Sequence, residues 1–131
     1  MSWSLEYSDT DRILTVKCEG SFTADDLAPM TQAAVEKLRE EHSLRVLLDF
    51  SAALAQVTIT EMFKLPEIYT ELRAPRLAHL AMVVPASGYR KDVYQFYEDL
   101  SVNRGYFVKL FKSISSAKAW LMQADAEQPH T

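Results

Sequence analysis

The sequence predicts one α/β domain: a mixed, mostly parallel five-stranded sheet flanked by about four helices, in the order ββαβαβαβα. Three observations predict it. Two short alternating segments at the start read as a hairpin, and two nearly continuous apolar runs, 44–50 and 77–84, read as strands covered on both faces. Between the strand segments lie stretches whose apolar residues recur at helical spacing. Strands alternating with helices call for parallel pairing through right-handed crossovers.

The 131 residues suit a single domain, with 48% hydrophobic and 24% charged residues, both ordinary globular values. The net charge of −4 provides no basic field for a nucleic acid backbone or an anionic lipid surface. Cys18 is the only cysteine, which excludes an internal disulfide and suits a reducing cytoplasm. The start lacks a charged region followed by an apolar run, and no window approaches the roughly 18 apolar residues of a membrane span. A soluble cytoplasmic protein is expected.

In order, Trp3, Leu5 and Tyr7 alternate with polar residues, 8–11 form a turn, and Ile13 to Cys18 is a second strand that Gly20 ends. Leu14, Val16 and Cys18 share its inner face, and Thr15 and Lys17 its wetter one. Thr23 and Asp26 suggest a capping box for a helix over 24–42, with Leu27, Met30, Ala34 and Leu38 inward. Leu44 to Phe50 is an inner strand, followed by a loop of small residues through Gln56. Thr58 and Glu61 form a second capping box, opening a helix that Pro66 should kink or divide. Leu77 to Val84 is another inner strand. Ser87 should cap the next helix, which carries Val93, Phe96, Tyr97 and Leu100 inward and stops at Asn103-Arg104-Gly105. Tyr106 to Phe111 is the last strand, and Ser115 to Met122 a closing helix with Ala117, Trp120 and Leu121 inward. The domain is expected over 1–122, with 123–131 as a flexible tail.

Three segments carry a resemblance: Leu47-Leu48-Asp49-Phe50-Ser51, the helix Tyr94-Gln95-Phe96-Tyr97-Glu98-Asp99-Leu100, and Val108-Lys109-Leu110-Phe111 with Ala117, Ala119, Trp120 and Leu121. With the element order, they make the chain resemble the SpoIIAA-like branch of the STAS fold, found in bacterial anti-sigma-factor antagonists, over essentially its whole length. The resemblance implies a regulatory module with a phosphorylatable serine or threonine at the helix after the third strand. Counting from Asp49, that place falls at Thr58, with Thr60 close by. The acidic residue ahead and the glycine behind, present in the family's Asp-Ser-Ser-Gly-like segment, are absent. A helix N-terminus would favour a phosphate, although Glu61 would repel it. The capping box accounts for Thr58 and Glu61 without any switch.

No catalytic, metal or cofactor motif emerges. His42, His79 and His130 have no ligand spacing, and His79 reads as a satisfied core imidazole. Gly20, Gly88 and Gly105, the only glycines, make no phosphate-cradling fingerprint. Asp25-Asp26 and Glu40-Glu41 diverge on their helix. Candidate ligand or partner contacts are Asp49 and Ser51 at a strand end, and Tyr89, Arg90, Lys91 and Tyr94 at a helix start, the sheet edge that open α/β folds use for ligands. Met62, Leu65, Tyr69 and Phe96 are candidates to line an apolar cavity beneath.

The leading expectation is therefore a non-enzymatic STAS-like module that binds a protein partner through the 51–60 face. Its alternative is an apolar-ligand or lipid carrier or sensor, similar by analogy to lipid-carrying SEC14-type folds, with an enclosed pocket of at least a few hundred Å³. An enzyme is the least supported of the three. No cofactor is expected, and an exposed edge in the first hairpin, with Trp3, suits pairing into a homodimer.

Overall fold

The computed structural model describes residues 1–86 and 90–127, of which 124–127 as backbone. Strands β1 (Ser2–Ser8) and β2 (Ile13–Phe22) lead into helix α1 (Ala24–Glu41) and strand β3 (Arg45–Ala55). Helices α2 (Ile59–Met62) and α3 (Lys64–Glu71), strand β4 (His79–Val83), helix α4 (Lys91–Asn103), strand β5 (Phe107–Phe111) and helix α5 (Ile114–Glu127) follow. The strands lie side by side in chain order, β1 antiparallel to β2 and every later pair parallel. This is the predicted order, with the second helical segment in two pieces.

Parallel strands laid down in one direction by crossovers of one hand must carry those crossovers on one face of the sheet. Accordingly α1 to α4 pack on what we term the front face, over Leu14, Val16, Cys18, Val46, Leu48, Phe50, Met82 and Val108. Among the described residues, the back face carries only α5. Ala117 and Leu121 cover Ile13, Leu47, Ala81 and Val83, with Phe111 and Trp120 at the margin.

Two strands outrun their expected ends. β2 continues through Gly20, whose φ of +86° suits glycine, to Phe22, and β3 continues to Ala55 through residues expected to form a loop. The cause is a β-bulge: Lys17 pairs with Asp49 but Glu19 with Ala52, so Phe50 and Ser51 together oppose Cys18. Ser51 and Ala52 are consecutively exposed, which breaks the alternation that marks a strand.

The helix boundaries follow from their caps. Thr23 N donates to Asp26 Oδ2 at 2.8 Å, and α1 ends one residue early because His42 turns left-handed, φ 52°. Thr58 N donates to Glu61 Oε1 at 3.0 Å, and Glu61 N to Thr58 Oγ1 at 3.1 Å, the predicted second box. The expected division comes at Phe63, three residues before Pro66, whose ring nitrogen has no hydrogen to give the preceding turn. The sequence reading passed over Pro29, which α1 accommodates in its second turn.

β4 is shorter than the apolar run that announced it, because Ala78 N donates to Pro75 O and leaves Leu77 outside at 58% exposure. Ser87, the expected cap of α4, lies outside the described residues. α4 stops as predicted, with Gly105 at φ +89°. α5 begins at Ile114, where Ser116 N donates to Ser113 Oγ, and its backbone stays helical to Glu127. The expected tail from 123 is therefore helical over 123–127, and 128–131 lie outside the described residues. His79 is half-buried, not a core residue. Its ring stacks on Phe107 at 4.5 Å and an interplanar angle of 2°, with Nδ1 3.0 Å from Leu77 O.

Candidate functional site

Between the front face and its helices lies a cavity of about 70 Å³. Leu48, Phe50 and Met82 floor it from the sheet; α1 contributes Leu27, Met30 and Ala34; Met62, Leu65 and Tyr69 close it from α2 and α3. Val93, Tyr94 and Tyr97 reach in from α4, and Tyr106 from just before β5. Helical spacing explains the convergence. Positions 62, 65 and 69, like 93 and 97, follow the three-to-four residue repeat that aligns one helix face.

The polar atoms in this wall are hydroxyls, most of them bonded to neighbouring protein groups. Tyr69 and Tyr97 hydroxyls lie 2.5 Å apart, Tyr106 Oη is 2.9 Å from Thr70 Oγ1, and Thr31 Oγ1 donates to Leu27 O at 2.7 Å. Tyr69 meets the rings of Tyr97 and Tyr106 edge-on, at 6.5 and 5.5 Å. Burial pushes the Tyr69 hydroxyl up to about 12 and Tyr97 well above its ordinary 10. Tyr94 also rises to about 12, through burial and then the nearby Cys18. Cys18 itself, 3.0 Å from Met30 Sδ, is raised to about 12 by burial and then by Asp49, so it is held as an inert thiol.

The structure scatters the residues singled out as surface contacts. Asp49 is buried on the back face, where Oδ1 accepts from Ser51 N at 3.1 Å and Ser51 Oγ at 2.6 Å. It thereby satisfies the bulge residue that has no opposite number on β2, a structural task for both side chains. Thr58 is the α2 cap and Thr60 is exposed within that helix. Arg90 and Lys91 are exposed at the start of α4, where Arg90 is paired with Asp92 at 3.2 Å. That pair raises Arg90 and lowers Asp92 from their usual values. Tyr94, expected beside them, is 3% exposed and belongs to the cavity wall, and Tyr89 lies outside the described residues.

Of the expected cavity residues, Met62, Leu65 and Tyr69 line it. Phe96 instead sits outside, edge-on to Phe63 at 5.1 Å. Sequence reasoning missed Tyr97 and Tyr106 as wall residues. The signal available for Tyr97 was its helical spacing from Val93; Tyr106 precedes a strand and carries none. Among the described residues no group of three or more His, Cys, Asp or Glu is placed to hold a metal, and no helix is long and apolar enough to cross a membrane.

A solved structure from Shewanella loihica PV-4 is similar over 92% of both chains, with a TM-score of 0.57 and 16% identity. It is described as an uncharacterized protein from the DUF3478 family with a SpoIIAA-like fold. The fold of the present chain is SpoIIAA-like. This agrees with the resemblance drawn from the three sequence segments. No family model and no curated protein matches the chain. Within this SpoIIAA-like frame, the α2–α3 segment is both the wall of the cavity and the element next to the 51–60 segment expected to meet a partner.

Proposed function

We propose that the chain is a non-enzymatic binding module whose ligand is a small apolar molecule held between the sheet and the front helices. The observation that carries this reading is the apolar cavity walled by α1, α2, α3 and α4. Its volume of about 70 Å³ is well below the few hundred Å³ expected of a lipid carrier, so the static cavity suits a compact guest. An engineered apolar cavity of about 150 Å³ stays dry and binds benzene or xenon. A guest larger than a few heavy atoms requires α2 and α3 to shift outward, and α2 is only four residues long. Met30, Met62 and Met82 in the wall suit such adjustment because their side chains are unbranched and polarizable.

The same three methionines supply the test. With methyl-labelled methionine in the intact chain, xenon pressure is expected to shift the Met30, Met62 and Met82 resonances saturably and leave exposed Met122 as the reference. Linear, equal drift of all methyls would overturn the ligand reading.

A second reading, protein-partner binding through the 51–60 face, is favoured by the exposure of Leu54 at 54%, Ile59 at 37% and Phe63 at 47%. Large apolar side chains left in water within ten residues of one another, Phe63 just beyond the segment, mark a surface suited to association. On α2 the two readings meet, since Met62 is buried in the cavity wall while Ile59 remains exposed. Capture of a partner that is lost on Phe63→Ser, with the fold retained, is the expected outcome. Unchanged capture would remove this face from consideration.

A further inference from the structure

We infer that the cavity accepts electrically neutral molecules and excludes carboxylates and ammonium groups, so that its ligand class is a small hydrocarbon, alcohol or ketone and not a fatty acid. The inference rests on the ligand-binding reading above and adds the chemistry of the guest.

Among the described residues, no Asp, Glu, Lys, Arg or His lines the cavity. A charged headgroup taken from water into such a wall loses hydration that no countercharge replaces. Two cations of the adjoining elements, Arg39 and Arg76, are committed elsewhere. Arg39 donates to the backbone carbonyls of Leu72 and Arg73 at the end of α3. Arg76 donates to Arg104 O, with its guanidinium 4.6 Å from the Tyr106 ring centroid. Each meets a helix-end carbonyl, where its charge is already favourably placed.

Three tyrosines of the wall report the same environment. Tyr69, Tyr94 and Tyr97 all resist ionisation, burial being the largest cause for each. A site that penalises a phenolate penalises a ligand carboxylate for the same reason. The hydroxyls remain suited to a neutral guest. The Tyr69–Tyr97 pair holds two O–H groups of which one suffices for their mutual bond, so the pair can also serve a carbonyl or hydroxyl oxygen.

The test uses three probes of one carbon skeleton, 1-butanol, butyrate and butylammonium, titrated into the intact methionine-labelled chain at pH 7.5, with xenon as the charge-free reference. Butanol is expected to move Met30, Met62 and Met82 saturably, with the two ions at least about 30-fold weaker, the scale set by unpaired burial of charge. Butyrate's apparent affinity should then rise about tenfold per unit as pH falls toward the carboxylic acid range, because only the neutral acid enters. Butyrate or butylammonium matching butanol at pH 7.5 would overturn the neutral-ligand inference and leave the cavity reading standing. A xenon response without a butanol response would also overturn it, by denying the site to neutral organic guests. Silence toward xenon and all three probes would withdraw both.

Discussion

The two faces of the sheet are packed by different means. The back is closed by one helix, α5, whose Ala117 and Leu121 are fully buried against Ile13, Leu47, Ala81 and Val83. The front is closed by four helical pieces, with three methionines and four tyrosines around the void they leave. A single continuous helix with small and branched contacts can interdigitate with a flat strand surface. Four separate pieces cannot all be optimised at once, and the mismatch collects as volume. The contrast teaches that the back is a small, tight seal, while the larger buried core and the room for a guest lie together on the front.

The largest expected effect tests the back. Leu121→Ala should cost about 2–5 kcal/mol in chemical denaturation, since it empties a dry, fully buried site. A loss under about 1 kcal/mol would show that α5 is not the clamp. Asp49→Ala should cost about 1–3 kcal/mol by stranding the Ser51 amide at the bulge. If Asp49→Ala proves neutral in stability yet alters binding of a partner, the structural reading of that carboxylate fails. On the front, Thr58→Ala should cost about 1 kcal/mol by removing the α2 cap. Filling the void should be gentler still. Ala34→Leu is expected to change stability by less than about 1 kcal/mol, as lost cavity offsets crowding, while abolishing the xenon response of Met62.

The smallest effect is one of pH. Asp26 and Glu61 both sit below their ordinary values of 3.8 and 4.5, chiefly through the backbone N–H groups of Thr23 and Thr58. A carboxylate whose folded pKa is depressed stabilises the fold above its unfolded pKa, and loses that contribution as pH falls through the folded value. Both groups serve front helices. In an acid titration below about pH 4.5, Glu61→Gln should therefore lose less stability than the parent chain, and an identical loss would assign the acid sensitivity elsewhere.

The sequence made the fold legible because strand alternation, helical spacing and capping boxes are local signals. Leu14, Val16 and Cys18 are inward as their alternation required, and both capping boxes form. The bulge was not legible, since it depends on how β3 meets β2, and Ser51 and Ala52 read as loop without that partner. The cavity was half legible. Met62, Leu65 and Tyr69 betray themselves by spacing, but the tyrosine pair that polarises the wall joins residues 28 positions apart. Arg90 and Lys91 looked chemically promising as a run, yet geometry sends their neighbour Tyr94 inward and pairs Arg90 with Asp92.

One contact made by α4 bears on what several copies of the chain can do together. Glu98 Oε2 accepts from Leu110 N at 2.7 Å, so a side chain occupies a backbone donor of the outer strand β5. The opposite outer strand, β1, pairs among the described residues with β2 alone. Growth of a sheet by edge addition needs two receptive ends per unit, as in a fibre, whereas units receptive at one end can join only in twos. Were copies to add strand to strand, Glu98 would thus act as a stop at one end, since one donor of β5 is already taken while among the described residues β1 faces no such side chain, an asymmetry that favours pairs over chains.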